Sequence, residues 1–173
     1  MLKLDIQRFA LNGTGKIKRE EHIIAMNVGT SEAPEIELIG KDNDELSRTL
    51  NNEVEAKKNV LGETTVEVTQ APQTTTVDPF NMRYESKIAE KLMNIYDNDL
   101  ELDDVVEEFY DISKYDKIAE GKYKAFKQSG AIDLKSWGGQ KSLGAPFDIN
   151  WTGPKVHGTF DIKSKTFTET TTV

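Results

Sequence analysis

The chain has 173 residues, no cysteine and a formal net charge of −8. The lack of cysteine excludes disulfides, thiol catalysis and cysteine-ligated zinc. The acidic balance argues against a protein that holds nucleic acid by neutralising phosphates. Hydrophobic residues form 36% of the chain, which suits one domain with arms, and no apolar run approaches the ~20 residues of a membrane span.

The first 21 residues are predicted to form an N-terminal arm. The opening MLKLDIQRFALNGTG does not fit a signal peptide, because Asp5, Gln7 and Arg8 interrupt its apolar residues. A glycine-containing, charged stretch follows, which favours a flexible segment. The predicted domain covers residues 22–168, and residues 169–173 form a C-terminal tail.

A short strand that ends at Gly29 is predicted over residues 22–29. A second strand is predicted over residues 35–40, after Pro34, where apolar and polar residues alternate. The next stretch is ambiguous, since Leu46, Leu50 and Val54 have helical spacing. We favour two long strands joined near residues 59–62, because Gly62 is followed by the strand-like TTVEV.

A polar stretch, VLGETTVEVTQAPQTTTVDPF, covers residues 60–80 and interrupts an otherwise compact pattern. It begins like a strand, is rich in threonine and then loses any apolar period. From the residues alone, three interpretations stay open: a lid over an active site, a linker between domains, or an arm that grips a neighbour.

A helix is predicted over about residues 80–97. Asp78 is a plausible N-cap and Pro79 fits the first helical position. The predicted packing face has helical spacing and consists of Tyr84, Ile88, Leu92 and Ile95.

The last third of the chain is predicted to be β-structure. FDINWT and VHGTFDIK both alternate apolar and polar residues, and the TGPK between them has turn composition. The predicted hairpin has one buried face, made of Phe147, Ile149, Trp151, Val156, Phe160 and Ile162. The chain is therefore expected to be mainly β, an antiparallel β-sandwich or barrel with one flanking α-helix and extended arms.

No pattern predicts catalysis, a metal or a cofactor. The two histidines, His22 and His157, are read as solvated strand residues, and no G-x-S-x-G elbow accompanies them. The acidic run of residues 97–111 resembles a calcium loop only in spacing, because Leu102 stands where that loop requires glycine. SWGGQ is read as a turn rather than a phosphate loop.

Long strands with one polar face leave unpaired sheet edges, which are a liability unless something pairs with them. Assembly of identical subunits into a ring would cover those edges. Segments such as residues 1–21 and 60–78 would then be ordered by neighbouring subunits.

Three segments carry a family resemblance: REEHIIAMNVGTSEAPEIELIGKDNDEL, NEVEAKKNVLGETTVEVTQAPQTTTVDPF and GAPFDINWTGPKVHGTFDIKSKTFT. They resemble the major tail tube proteins of long, non-contractile-tailed bacteriophages, over about residues 16–168. The opening LKLDIQRFA is similar to a short leader of virion proteins from phages of Gram-positive hosts.

The resemblance implies a structural virion protein whose hexameric rings stack into the tail tube, the conduit for DNA ejection into the host. Its expected partners are further copies of itself, the tape measure protein, the tail terminator and the distal tail or baseplate proteins. It implies no enzyme activity, cofactor or membrane, and a location in the virion tail after synthesis in the bacterial cytoplasm. The inner tube of a contractile tail or tailocin, or a monomeric ligand-binding β-barrel, are the alternatives.

The resemblance also implies roles for individual residues. The loop at residues 58–80 would reach a neighbouring subunit or ring through Leu61, Gly62, Val66, Val68, Pro72 and Thr75. An acidic tube wall would repel DNA without holding it, and the residues expected to line the lumen are Asp133, Asp148, Asn150 and Asp161. Lys155 and Lys163 give this predicted face a mixed charge.

Overall fold

The computed structural model describes residues 14–43 and 45–170. The predicted leader, most of the predicted N-terminal arm and the last three residues of the predicted tail lie outside the described residues. Residues 19–21 and 102–105 form short 3-10 turns. Among the described residues there is one α-helix, α1 (Lys87–Asp97).

Ten strands account for nearly half of the described chain. They are β1 (His22–Asn27), β2 (Ile36–Ile39), β3 (Arg48–Thr49), β4 (Glu53–Lys58), β5 (Thr64–Thr69), β6 (Thr74–Val77), β7 (Val106–Ala119), β8 (Lys122–Leu134), β9 (Phe147–Asp161) and β10 (Thr166–Glu169). Eight of them form one antiparallel sheet in the order β2-β1-β7-β8-β9-β6-β3, with β10 on the far half of β9, and β4 and β5 form a separate pair. A mainly β chain with an antiparallel sheet and one helix is confirmed.

The large sheet curls strongly. Arg48 on β3 lies with its Nη1 atom 3.8 Å from Oδ2 of Asp111 on β7. Four strand spacings separate these strands, about 19 Å in a flat sheet at ~4.8 Å per spacing. The sheet must therefore bend back toward itself, and we call the face that carries Arg48 the concave face.

Each face of the sheet has its own core. The concave-face cluster packs α1, through Ile88, Leu92 and Ile95, against side chains that include Phe109 and Trp151. The opposite, convex-face cluster includes Tyr110, Ile112 and Phe160, with Phe167 of β10 packed on it. Neighbouring residues of β7 fall into different clusters because successive side chains of a strand point to opposite faces.

The predicted hairpin at residues 147–163 is wrong, because residues 147–161 form the single strand β9. Phe147, Ile149 and Trp151 are buried in the concave-face cluster as core residues. Phe160 and Ile162 belong instead to the convex-face cluster, and Val156 is half-buried.

The odd spacing between Trp151 and Val156 explains this division between two faces. A register shift against β8 accommodates the predicted turn residues. Pro154 sits in that irregular region, where a missing N–H costs no ladder hydrogen bond.

The predicted helix ends correctly at Asp97 but begins seven residues later than expected. Ser86, rather than Asp78, is the N-cap, and its Oγ accepts a hydrogen bond from the Ala89 N–H at 3.2 Å. Residues 74–77 belong to β6, and residues 78–86 form the connection from this strand to the helix. Tyr84 lies in that connection and is fully exposed, so its assignment to the packing face is wrong.

A carboxylate from the sheet caps the start of α1. Glu37 on β2 accepts hydrogen bonds from the N–H groups of Lys87 at 2.8 Å and Ile88 at 3.1 Å, and from the Ser86 hydroxyl at 2.7 Å. The first N–H groups of a helix lack internal partners and carry the positive end of its dipole. Glu37 therefore fixes the helix to the sheet edge.

Glu37→Ala is expected to lower the free energy of unfolding by about 1–2 kcal/mol, because the cap and the dipole interaction are both lost. Glu35→Ala is the matched control: Glu35 forms an exposed ion pair with Lys87, typically worth about 0–1 kcal/mol. Urea unfolding of both variants measures the difference. Equal losses would mean that Glu37 contributes no more than a surface charge.

Candidate assembly site

The most unusual surface of the molecule is the hairpin formed by β4 and β5. Every residue of both strands is exposed. The strands pair in register from Glu53 opposite Thr69 to Lys58 opposite Thr64. The sequence-based expectation of two strands joined near residues 59–62 is confirmed.

The turn of the hairpin is well defined by its own hydrogen bonds. The Asn59 side-chain oxygen accepts from the N–H groups of Leu61 and Glu63, both at 3.0 Å. Gly62 takes a left-handed conformation at φ +83°, which glycine adopts without steric cost. The turn thus sets the strand register without help from the rest of the domain.

The register makes the hairpin amphipathic. Val54 lies opposite Val68, and Ala56 lies opposite Val66, so these four side chains share one face. The other face carries charged and hydroxyl side chains, namely Glu53, Glu55, Lys57, Thr65, Glu67 and Thr69. We call the first the apolar face and the second the polar face of the hairpin.

The apolar face is unburied in the single chain. Val54, Val66 and Val68 are 66%, 58% and 61% exposed, and at the turn Val60 and Leu61 are fully or largely exposed. An isolated two-stranded hairpin is marginally stable in water, and exposed apolar patches mark interaction sites. The arrangement suits a surface that becomes buried when the hairpin meets a partner.

Five of the six residues predicted for an inter-subunit loop lie on or beside this hairpin. Leu61 and Gly62 are in the turn, Val66 and Val68 are on β5, and Pro72 is exposed just after it. Thr75 is the exception, and its assignment to an exposed loop is wrong. It is fully buried in β6 and accepts a 2.9 Å hydrogen bond from Trp151 Nε1.

The four predicted lumen residues do not form one surface. Asp133 and Asp148 are directly paired across β8 and β9, and Asn150 follows two residues later on the same face. Asp161 lies about 36 Å further along β9, taking about 3.3 Å per residue. Phe160 belongs to the convex-face cluster and Ile149 to the concave-face cluster, so Asp161 and Asn150 point to opposite faces of the sheet. A shared wall with the other three is therefore wrong.

The two paired aspartates share one lysine. Lys135 Nζ lies 2.5 Å from Asp133 Oδ2 and 3.0 Å from Asp148 Oδ2. Burial opposes ionisation of Asp148, but Thr76 and Lys135 outweigh it and lower the pKa of this carboxyl. Asp148 therefore stays ionised near neutral pH, and Lys135 contacts the carboxyl groups of both aspartates.

A buried polar cluster on the concave face was not foreseen from sequence. Arg48 donates to the side-chain oxygens of Gln73 and Gln128, both at 2.6 Å. Its guanidinium lies 4.0 Å from the centre of the Trp151 ring. Burial lowers the pKa of Arg48 and nearby Asp111 counters the shift. A two-residue strand gives no periodicity from which this could be read.

His22 belongs to the same cluster. Its Nε2 atom is 2.7 Å from Oδ1 of Asp111, which is only 3% exposed. The interpretation of His22 as a solvated histidine is therefore wrong, whereas His157 is exposed as expected. The cluster holds β3 against the concave face, and Asn51 donates to the Pro72 carbonyl oxygen at 2.8 Å. Both contacts fix the base of the hairpin.

Over residues 14–43 and 45–170, no group of three or more histidine, aspartate or glutamate side chains is placed to hold a metal ion. The one described helix is too short and too polar to cross a membrane. No family model matches the chain, and no curated protein matches it.

Proposed function

We propose that the chain is a structural subunit of a phage tail tube, in which hexameric rings stack to form the conduit for DNA ejection. The observation that carries the proposal is the exposed hairpin, whose apolar face has no partner within the described chain. In the tube, this face is buried against a neighbouring subunit. Ordering an arm costs entropy, which burial at the interface offsets.

Sheet edges support the same proposal. The curled sheet is open, with β2 at one edge and β3 at the other. Open edges offer unpaired backbone groups to another chain. Heterologous pairing between identical subunits closes into a ring when the rotation between them closes, and rings that also bind axially produce a tube.

The charge of the chain suits a conduit for DNA. A formal net charge of −8, repeated around each ring, gives a wall that does not capture phosphates. Repulsion fades over about 8 Å at physiological salt. Asp133, Asp148 and Asn150 stay the proposed lumen residues. The tape measure protein, the tail terminator and the distal tail proteins are the proposed partners within the virion.

Two other functions make different predictions. The inner tube of a contractile tail or tailocin would co-purify with a sheath protein. A monomeric ligand-binding barrel would need an apolar cavity inside the curled sheet. Phe109, Phe147, Ile149 and Trp151 fill the concave face and are buried, which favours the assembly proposal over ligand binding.

Sedimentation velocity over a range of concentrations tests the proposal. A tube subunit is expected to shift from a 19.5 kDa species to large assemblies, either with concentration or on addition of a tail-tip initiator complex. A species that stays monomeric at high concentration, with the initiator present, would contradict it.

A further inference from the structure

We propose that the tip of the hairpin of one subunit docks into a recess beside the end of α1 on a second copy of this chain. The inference rests on the proposed function and deepens it by assigning the receiving surface. The tip is defined as residues 58–62, and the recess as the surface between the end of α1, residues 99–105 and the end of β8.

The recess is lined by both apolar and acidic side chains. It has a volume of about 340 Å³, and its apolar lining consists of Ile95, Tyr96, Leu100, Val105, Ile132 and Leu134. Tyr96 is held in place by stacking on Trp137, with ring centres 4.4 Å apart. Leu102 follows Glu101 of the lining directly in sequence and is 84% exposed. The surface is thus preformed and unfilled in the single chain.

The tip of the hairpin projects outward and is apolar, and it therefore complements the apolar part of the recess. Val60 and Leu61 project from the turn with almost no burial. Both are aliphatic, and transfer of such side chains from water into an apolar environment is favourable. The turn hydrogen bonds already fix its shape, so docking orders little additional backbone.

Charge complementarity points to this recess as the receiving surface. Asp99, Glu101 and Asp133 are the acidic residues of its lining. Asp133 is paired with Lys135, whereas neither Asp99 nor Glu101 is in an ion pair within the described residues. No basic residue occurs from position 92 to position 113. Lys58, opposite Thr64 on the apolar side of the hairpin, also has no ion-pair partner there. Docking of the tip would bring Lys58 to these carboxylates.

A second copy of this chain fits the recess only in an orientation that pairs opposite charges. Two chains of charge −8 repel unless their contact pairs opposite charges locally. The tip and the recess lie on different parts of one chain. Each copy can therefore insert its tip into one neighbour and accept the tip of another. A heterologous contact of this kind repeats from copy to copy.

Disulfide trapping tests the contact, and the natural chain contains no cysteine to interfere. Val60→Cys and Leu102→Cys are made on separate chains, so only a link between copies can join them. The matched control is Ile118→Cys, which is 56% exposed and lies on β7 about 40 Å from its first residue at about 3.3 Å per residue. Equal mixtures are oxidised mildly under assembly conditions.

We expect the Val60→Cys and Leu102→Cys mixture to form a disulfide between positions 60 and 102, at least fivefold more than the Val60→Cys and Ile118→Cys mixture. Mass spectrometry of the linked peptides identifies the positions. If assemblies form but the two mixtures link equally, or positions 60 and 102 do not link, the receiving surface is wrong and the proposed function stands. If sedimentation shows monomer only, both fail.

Discussion

Removal of residues 53–69, with Asn52 joined to Gln70 through two glycines, is expected to leave a folded chain that no longer assembles. Glu53 and Thr69 are paired, so the cut ends lie only about 5 Å apart. All the removed strand residues are exposed, so the core is untouched. The cut stops before β6, because loss of Thr75 and Val77 would open the core.

Circular dichroism and urea unfolding check the fold of this variant, and sedimentation checks its assembly. A free energy of unfolding within about 1 kcal/mol of the natural chain is expected, as for changes at exposed sites. Assemblies that form as readily as before would show that the hairpin is not an assembly surface. A variant that unfolds would instead contradict the independence of hairpin and core.

A gentler pair of variants separates the two faces of the hairpin. Val66→Thr with Val68→Thr keeps shape and strand preference but adds hydroxyls to the apolar face. We expect each contact between subunits to lose about 2 kcal/mol of binding free energy, which raises the concentration needed for assembly roughly 30-fold. Thr65→Ser with Thr69→Ser, on the polar face, is the control and should change it little. Equal effects from both pairs would contradict burial of the apolar face.

Arg48→Met is expected to destabilise the folded chain strongly. The guanidinium is largely buried and holds Gln73 and Gln128 by hydrogen bonds. Its removal takes one cation away from the buried Asp111 carboxylate, which keeps its contact with His22 and the more distant charge of Lys155. Breaking a buried charge pair in this way costs about 3–5 kcal/mol.

The control for Arg48 is Lys57→Met. Lys57 pairs with Glu67 at 3.1 Å, but both side chains are more than half exposed, so the expected cost is about 0–1 kcal/mol. The double variant Arg48→Met with Asp111→Asn should recover part of the lost stability, because no uncompensated charge is then buried. A loss below about 1 kcal/mol for Arg48→Met, measured by urea unfolding, would show that the cluster does not hold β3.

Sequence patterns predicted the fold class, the end of α1 and the hairpin turn, because each depends on local signals. The buried Ile88, Leu92 and Ile95 follow from helical spacing, and Gly62 marks the turn. The single strand β9 was missed because a proline and a glycine indicate a turn unless a register shift absorbs them. The odd spacing from Trp151 to Val156 was a readable signal that the two halves face opposite sides.

Long-range contacts could not be read from the chain. Thr75 belongs to a polar, threonine-rich stretch, yet its strand pairs with β9 and Trp151 buries it. Arg48 and Asp111 are 63 positions apart and meet only because the sheet curls. The predicted lumen residues also lie on different surfaces, for a related reason. Alternation along one strand does not reveal the position of a register shift such as the one between β8 and β9.

Negative-stain electron microscopy of the purified chain, with a tail-tip initiator complex present, is the most direct measurement of tube formation. We predict stacked rings with a central channel and six subunits per ring in class averages viewed along the axis. Dispersed single subunits at high concentration, or assemblies without a channel, would contradict the tail tube proposal.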